Sequence, residues 1–389
     1  MACDVALVPC GDYEEQRIEQ ALREAVGLCG GLEEIHPGTR VVLKVNLVSA
    51  LKPEKAATVH PSVVCAMVRI LKEAGAQVVI GDSPGGLYTA AYVRHVYEVC
   101  GMREAEKYGA VLNDDFSVRE GENPEAVKAR MFTYTAYLDR ADVIIDLCKL
   151  KSHGMMGMSN AVKNFFGVVP GTMKPEYHYK YPKIEDFADM IVDLYEYFRP
   201  CLCVCDAVEA MEGNGPTQGT PRTMGCLLVS KNGHKLDLIG ANLIGLTGEG
   251  VPTLAAAIRR GLITGRTEDI SVSRDPETYR QQGFKTIPAQ PDSHLHFGGN
   301  GWIWKGINAA ARKILPAFPK LIPDRCVGCG RCRDTCPAGA ITMRGGKPRI
   351  RRRQCIHCFC CQEFCPKGAL EAGRHRILQM LLPGAGREK

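Results

Sequence analysis

Two copies of one cysteine pattern near the carboxyl terminus constrain the fold of this chain most strongly. The first copy comprises Cys326, Cys329, Cys332 and Cys336, with Pro337 directly after the last cysteine. The second copy starts 29 residues later and comprises Cys355, Cys358, Cys361 and Cys365, followed by Pro366. In all, nine of the 19 cysteines in the 389-residue chain fall within this stretch. An odd total in so long a chain favours thiolate ligands in a reducing compartment over a disulfide framework.

This spacing is that of the bacterial ferredoxin run, in which three thiolates hold one [4Fe–4S] cube and the fourth reaches the other cube. The predicted ligands are Cys326, Cys329, Cys332 and Cys365 for the first cluster, and Cys355, Cys358, Cys361 and Cys336 for the second. Each iron then has its full set of ligands. The clusters are therefore expected to relay electrons rather than to bind substrate.

Zinc is the alternative occupant, because paired CxxC units also build structural zinc sites. Four ligands per zinc ion would leave the third CxxC thiol and the repeated Cys-Pro without a reason. Cys360 is surplus to the pattern. We interpret it as a small packing residue, with a register exchange between Cys360 and Cys361 as the alternative.

Charge is distributed unevenly along the chain. From Lys320 to Lys389 there are 15 Lys and Arg against 5 Asp and Glu, which marks a compositional boundary near Lys320. The basic run 351–353 is interpreted as a solvated loop between the cluster sites, because no aromatic residues interleave to stack bases. No nucleic-acid partner is therefore predicted.

Composition and length indicate a globular protein of two or three units, with 45% apolar and 24% charged residues. The sequence contains no apolar run of the roughly 18 to 20 residues that a transmembrane helix needs, and its start does not resemble a signal peptide. We expect a cytoplasmic protein. The predicted division is an α/β domain over residues 1–300, a linker helix and Pro-rich connection over 301–322, a ferredoxin-like domain over 323–375 and a tail over 376–389.

The predicted fold before the boundary is an α/β domain, a mainly parallel sheet with helices on its faces, beside a small α+β ferredoxin-like domain. Apolar runs that predict strands begin at Val41, Gln77 and Asp142, and longer helical patterns separate them. Further strands are predicted from Cys201 and Gly225. Helices are predicted over 61–74, 89–100 and 251–260.

Cationic and amide side chains close several of these strands, where ligands collect in parallel α/β sheets. The ligand-binding candidates are Lys44, Asn46, Asp82, Ser83, Gly85, Gly86, Lys149, Lys151, Lys163 and Asn164. Together they predict a site for an anionic small molecule, whereas each lysine alone fits a solvated or salt-bridged residue equally well. A short helix that carries Lys163 and Asn164 is predicted, with Ser159 as its N-cap and Gly167 just past its end.

The catalytic candidates at this rim are His153, Lys151, Asp206 and Glu209. A carboxylate among lysines is a general base, a magnesium ligand or an ion-pair partner, and the ion pair is the favoured interpretation for Asp206. His153 and His60 are the histidines best placed for proton transfer.

Two further segments have alternative interpretations. The alternating thiols of the strand over 201–205 would share one face, either as buried strand residues or as a third metal site. The segment from Trp302 to Phe318 has helical apolar spacing, and either packs the two domains together or lies on a membrane surface.

The chain resembles the proteins that carry domain of unknown function 362 with a fused ferredoxin domain. The matching stretches are VVLKVNLVS from Val41, TVHP from Thr58, EAGAQVVIGDSPGG from Glu73, ADVIIDLCKLKSHGMMGMSNAVKNFFGVVPG from Ala141 and DAVEAMEGNGPTQGTPRTMG from Asp206. One departure is the segment NGHKLDLIGA from Asn232, in which Asp237 occupies the family's acidic position. The resemblance implies the architecture and the cluster ligands, but no reaction.

The sequence is consistent with three functions. The preferred one is an iron–sulfur oxidoreductase, in which the cubes relay single electrons between an external electron carrier and an anionic molecule or cofactor on the α/β domain. The alternatives are a non-catalytic electron-transfer subunit that docks a larger redox enzyme, and a maturation factor for a cofactor or cluster. The sequence contains neither a GxGxxG strand-turn-helix fingerprint nor a Walker loop, which weakens the case for nicotinamide, flavin or nucleotide.

Overall fold

A computed structural model describes residues 2–287 and 317–373 of the chain. We call 2–287 the sheet unit and 317–373 the ferredoxin-like unit. The strands of the sheet unit are β1 Ala6–Pro9, β2 Arg40–Val45, β3 Gln77–Gly81, β4 Val111–Leu112, β5 Val118–Glu122, β6 Met131–Thr135, β7 Val143–His153, β8 Gly157–Ser159, β9 Leu202–Glu212 and β10 Thr220–Ser230.

Eight of these strands form one sheet in the order β1-β10-β9-β7-β2-β3-β4, with β8 paired to β7. The five strands from β9 to β4 in this order run parallel, whereas β1, β10 and β8 join by antiparallel pairing. Strands β5 and β6 form a separate antiparallel ribbon. The mainly parallel α/β sheet predicted from the apolar runs is therefore confirmed.

Helices cover both faces of the sheet. They are α1 Glu15–Leu28, α2 Pro61–Glu73, α3 Ala90–Val99, α4 Ala161–Asn164, α5 Lys174–Lys180, α6 Ile184–Phe198, α7 Gly233–Leu243 and α8 Pro252–Arg259. The core under α1, α2 and α3 contains Val41, Leu43 and Val45 of β2, whereas Val42 packs in the core under α4 to α8. This alternation buries both faces of a parallel strand, and so explains why β2 is apolar almost throughout.

The helices predicted over 61–74, 89–100 and 251–260 lie within one residue of their expected bounds. Helix α2 starts with Pro61 at its first position, which suits the fixed backbone angle of proline, and His60 accepts the Ser62 N–H at its start. Among the described residues, no helix has the length and apolar character that a bilayer crossing requires.

The ferredoxin-like unit consists of short strands and two short helices. They are β11 Phe318–Leu321, α9 Arg331–Asp334, β12 Ile341–Arg344, β13 Lys347–Ile350, α10 Cys360–Glu363 and β14 Leu370–Gly373. Strand β11 pairs antiparallel with β14, and β12 pairs antiparallel with β13. The small α+β domain predicted here is confirmed.

The start of the ferredoxin-like unit differs from the predicted boundary. Residues 318–321 were assigned to the Pro-rich connection, but their pairing with β14 makes them part of the unit. Pro319 is tolerated because β11 lies at the edge of a two-stranded sheet. Most of the helix predicted from Trp302, and the predicted tail 376–389, lie outside the described residues.

Candidate functional site

Thiols from both cysteine runs meet around two small cavities in the ferredoxin-like unit. The first cavity has about 360 Å³ of free space including its opening to solvent, and its wall includes Cys326, Cys329, Cys332 and Cys365. The second has about 320 Å³ including its opening, and its wall includes Cys336, Cys355, Cys358 and Cys361. The structure therefore brings the eight cysteines together in the two interleaved sets that the spacing predicts.

The surroundings of the two cavities suit an anionic cluster. Their walls are otherwise mostly apolar, with Leu321 and Met343 in the first and Ile341 and Ile350 in the second. Backbone N–H groups point at the last thiol of each run, with Ala340 donating to Cys336 Sγ at 3.3 Å and Ala369 donating to Cys365 Sγ at 3.2 Å. Such bonds to sulfur favour the reduced cluster. The residues present thus fit a [4Fe–4S] cube at each position.

Cys360 occupies a different position from its neighbour. Cys361 lines the second cluster cavity, whereas Cys360 lines a larger cavity between the two units. Cys360 is only 1% exposed. This placement matches the interpretation of Cys360 as a packing residue.

The larger cavity, which we call the interface cavity, lies where the carboxyl ends of β2, β3 and β7 face the ferredoxin-like unit. It encloses about 2670 Å³ including its open mouth. From the predicted site it gathers Asn46, Asp82, Ser83, Gly85, Gly86, Lys151, His153, Lys163 and Asn164. The opposite wall includes three of the cluster-cavity cysteines, Cys329, Cys336 and Cys365.

Lys151 is held by neutral oxygen atoms. Its Nζ donates to Asn46 Oδ1 at 2.7 Å and to the Ala57 carbonyl at 2.6 Å. Asn46 in turn donates to Asn164 Oδ1 at 3.0 Å, which fixes its amide. Desolvation, reinforced by the nearby Lys163 charge, lowers the pKa of Lys151 to about 7.

Two further lysines approach the same aromatic ring from the cavity. Lys163 Nζ lies 4.6 Å and Lys174 Nζ lies 5.6 Å from the Phe166 ring centroid. Lys174 donates to the carbonyls of Ser83 at 2.5 Å and Val169 at 2.7 Å. Desolvation lowers the pKa of Lys163 to about 8 and that of Lys174 to about 7.

His153 connects the sheet unit to a carboxylate of the ferredoxin-like unit. Its Nδ1 accepts the N–H groups of Met155 at 3.2 Å and Met156 at 3.3 Å, so a neutral ring carries its proton on Nε2. That nitrogen lies 3.4 Å from Glu363 Oε1. Burial, followed by the charge of Lys163, holds the pKa of His153 well below its usual value, so the ring is neutral.

Several predicted site residues lie elsewhere. Among the described residues, the lining of the interface cavity does not include Lys44, Lys149, Asp206 or Glu209. Lys44 forms a buried ion pair with Asp82 at 2.7 Å. Lys44 and Lys149 therefore do not belong to the site predicted for an anionic molecule, because buried carboxylates pair with both ammonium groups.

Lys149 belongs to a separate buried network on the sheet unit. Its Nζ donates to Asp206 Oδ2 at 2.8 Å and to the Tyr13 hydroxyl at 2.7 Å, and that hydroxyl donates to Asp206 Oδ1 at 2.9 Å. The His60 ring stacks on Tyr13 with centroids 3.7 Å apart, and burial lowers the pKa of His60 to about 4. Asp206 thus has the ion-pair role favoured for it, and the network leaves its carboxylate no open position.

The segment before Lys163 differs from the predicted helix. Ser159 ends β8, so the prediction that it is the N-cap was wrong, and Asn160 precedes α4 instead. Asp237 of α7 supplies the missing cap, because its carboxylate accepts the N–H groups of Ala161 at 2.8 Å and Val162 at 3.1 Å. Gly167 was also misplaced, since it lies within a 3₁₀ turn. The acidic position in the departing segment therefore holds α4 in place.

Of the alternating thiols over 201–205, those in β9 pack in the apolar core, which was one of the two interpretations of this segment. Cys203 and Cys205 are fully buried in the same apolar cluster as Cys148. Thiols serve here as small apolar side chains on a strand with both faces covered.

Four residues important to the cavity were missed by sequence reasoning, namely Lys174, His178, Gln362 and Glu363. Lys174 and His178 lie in α5, a short helix after a glycine and proline turn, with no repeat or motif around them. Gln362 and Glu363 lie inside the second cysteine run, between two predicted cluster ligands, and belong to no motif of their own. All four residues are polar residues beside apolar neighbours, a pattern too common in sequences to predict a site.

Comparison with known proteins agrees with this architecture. Residues 41–242 match the family described as domain of unknown function (DUF362), and residues 318–366 match a 4Fe-4S dicluster domain. The dicluster domain indicates a redox or electron-transfer role. A relative from Synechocystis, the thylakoid-associated protein sll1697, is 33% identical over 269 residues, which cover 67% of this chain and 81% of the relative.

Two solved structures show low similarity to this chain. The lactate racemase apoprotein from Thermoanaerobacterium thermosaccharolyticum has a TM-score of 0.40 at 12% identity, over 61% of this chain and 56% of its own. A structural-genomics protein from Thermotoga maritima has a TM-score of 0.33 at 13% identity, over 55% of each chain. From the family matches, the chain belongs to the DUF362 family and carries a carboxyl-terminal 4Fe-4S dicluster domain.

Proposed function

We propose that this protein is an iron–sulfur oxidoreductase that exchanges single electrons with an anionic small molecule or cofactor bound in the interface cavity. Two [4Fe–4S] clusters would be held by Cys326, Cys329, Cys332 and Cys365, and by Cys355, Cys358, Cys361 and Cys336, and they would supply the one-electron chemistry. The observation that carries the proposal is that predicted cluster ligands and cationic side chains line the same cavity. Cys329, Cys336 and Cys365 line the same cavity as Lys151 and Lys163.

The sheet unit supplies the binding groups in this proposal. Lys151, Lys163 and Lys174 attract and orient an anion, since charge-assisted bonds are strong where water is largely excluded. His153 presents an Nε2 proton toward Glu363, which gives the cavity a neutral proton donor beside a carboxylate. A molecule that gains an electron here could thus gain a proton from the same wall.

An external electron carrier is the proposed partner of the ferredoxin-like unit. Cys329, a ligand of the first cluster, is exposed, whereas Cys358 and Cys361, ligands of the second, are buried. The first cluster would therefore be the one nearer solvent. The arginines around this unit would attract a carrier with an acidic surface.

The test is reoxidation of the reduced holoprotein. Anaerobically purified protein with about eight irons per chain is reduced with dithionite, freed of excess reductant and mixed with small-molecule fractions of a cell extract. We expect at least one fraction to speed the return of the oxidised cluster absorbance. If no small-molecule fraction does so, while a protein fraction does, the chain is an electron-transfer subunit and the proposal is wrong.

A further inference from the structure

Three ammonium groups in the interface cavity lack a balancing charge. Lys151, Lys163 and Lys174 all line the cavity, and within residues 2–287 and 317–373 none of them has a carboxylate at ion-pair distance. Lys151 and Lys174 bond only to neutral oxygen atoms, and Lys163 is positioned by an aromatic ring. Desolvated cations without counter-ions are costly, so an anion that binds among them is stabilised.

The acidic residues on the same cavity do not supply that anion. Asp82 is paired with Lys44 at 2.7 Å, and Asp334 is paired with Arg333 at 2.7 Å. Glu363 faces His153 at 3.4 Å and is one carboxylate against three ammonium groups. The described wall therefore keeps a cationic surplus after its own pairs are counted.

Polar side chains without partners lie on the same wall. The Ser83 Oγ, Thr217 Oγ1 and His178 Nδ1 atoms are buried and make no hydrogen bond in the described structure. All three residues line the interface cavity and are at most 4% exposed. Buried polar atoms usually have hydrogen-bond partners, so these three side chains leave unused hydrogen-bonding capacity on this wall.

The three lysines share one cavity, and two of them share one ring. Lys163 Nζ and Lys174 Nζ both lie near the Phe166 ring, and the charge of Lys163 contributes to the lowered pKa of both Lys151 and Lys174. A single carboxylate has too little charge to balance three cations. A phosphate-type or polycarboxylate group has several oxygens and at least two charges.

We propose that the interface cavity binds its ligand through a compact group with two or more negative charges, held by Lys151, Lys163 and Lys174. This inference rests on the proposed function for the choice of cavity, and it adds the chemical class of the ligand. Phosphate esters and polycarboxylates both carry such a group, so the test includes one compound of each class.

The test is calorimetric titration of the oxidised holoprotein with pyrophosphate, citrate and acetate at matched ionic strength. We expect pyrophosphate or citrate to bind and acetate to bind far more weakly, and the tighter of the two identifies the class. Lys163→Met should weaken that binding by about 10- to 100-fold, the value of one or two charge-assisted bonds. Lys163→Arg should retain most of it, and Lys183→Met, which removes an exposed lysine, should leave it unchanged.

The inference is overturned if neither polyanion binds more tightly than acetate, or if Lys163→Met binds them as the wild type does. Folding of each variant is checked by its iron content and melting temperature. Because the titration uses oxidised protein, it needs no electron transfer. Polyanion binding without any reoxidation by small molecules would therefore refute the redox proposal alone, and reoxidation by a compound with a single negative charge, without polyanion binding, would refute this inference alone.

Discussion

Gln362 in α10 donates from Nε2 to Asn214 Oδ1 at 2.7 Å, and this bond joins the ferredoxin-like unit to the sheet unit. The same nitrogen lies 3.1 Å from the Asn214 carbonyl and 3.2 Å from the Gly215 carbonyl. Asn214 Oδ1 also accepts the Ala372 N–H at 3.0 Å. The loop after β9 thus holds both α10 and β14, and so sets the position of the cysteines against the interface cavity.

Removal of this amide should loosen the two units. We expect Gln362→Ala to lower the unfolding free energy of the interface by about 1 to 3 kcal/mol, because buried acceptors lose their donor. Cluster absorbance should stay normal, while reoxidation by the active small-molecule fraction slows. Gln354→Ala removes an exposed glutamine from the same unit and should change neither property. Equal reoxidation rates in the two variants would contradict the role of the contact.

Cysteine substitutions test the assignment of the cluster ligands. Cys361→Ser should reduce the iron content from about eight to about four per chain, since it removes one ligand of the second cluster. Cys360→Ser should keep the full iron content, because Cys360 lies on the interface cavity instead. Iron and sulfide analysis of anaerobically purified protein measures both. Iron loss in Cys360→Ser with retention in Cys361→Ser would show that the register is exchanged.

Gly167 gives a test of the buried ion pair. A Cβ atom at this position would lie 2.6 Å from Lys44 Nζ and would overlap the Asp82 carboxylate. We expect Gly167→Ala to destabilise the sheet unit by about 3 to 5 kcal/mol, since a broken buried pair leaves unbalanced charges. Urea denaturation measures this. Gly11→Ala is the control, because a Cβ there has no neighbour within 4 Å, and a similar loss in that variant would contradict the explanation.

The affinity of the interface cavity for an anion should depend on pH. Burial lowers the pKa of Lys163 to about 8 and those of Lys151 and Lys174 to about 7, and only the charged forms attract an anion. Affinity for sulfate, whose charge is constant, should therefore fall as pH rises from about 6.5 to about 9. His153 and His178 stay neutral throughout, because burial lowers the pKa of each, and Asp82 forms an ion pair with Lys44.

The same shifts affect stability with the opposite sign. The unfolded lysines have the ordinary pKa of 10.5 and bind more protons than the folded ones above about pH 7. The ligand-free protein should thus gain stability from these groups as pH rises above about 7. A sulfate affinity that stays constant or rises between about pH 6.5 and about pH 9 would contradict the assignment of the three lysines to the anion site.

The sequence predicted the fold well where patterns are local. The apolar runs that begin at Val41, Gln77 and Asp142 form strands because a parallel strand with both faces covered is apolar over most of its length. The start of the short helix near Lys163 was not predicted correctly. Its cap comes from Asp237, which is more than 70 residues away in the chain, so Ser159 appeared to be the nearer and better cap.

The candidate site was predicted only in part, because some of its residues follow local strand patterns and others are brought in by tertiary contacts. Residues that end β2, β3 and β7 were expected at one rim, and Asn46, Asp82 and Lys151 do line one cavity. The carboxylates that neutralise Lys44 and Lys149 are brought to them by tertiary contacts, which the local sequence does not show. Tertiary contacts also bring Lys174 to the cavity. Nor does any local pattern predict that Glu363 of the ferredoxin-like unit faces His153.

The most direct test of the central claim compares electron delivery in two matched variants. Reduced holoproteins of wild type, Lys163→Met and Lys183→Met are mixed anaerobically with the small-molecule fraction that reoxidises the wild type, and cluster reoxidation is followed by stopped-flow absorbance. We predict that Lys183→Met reoxidises at the wild-type rate and that Lys163→Met is at least about 10-fold slower, because one charge-assisted bond is lost. Equal rates in all three proteins would show that electrons leave the clusters by a route other than the interface cavity.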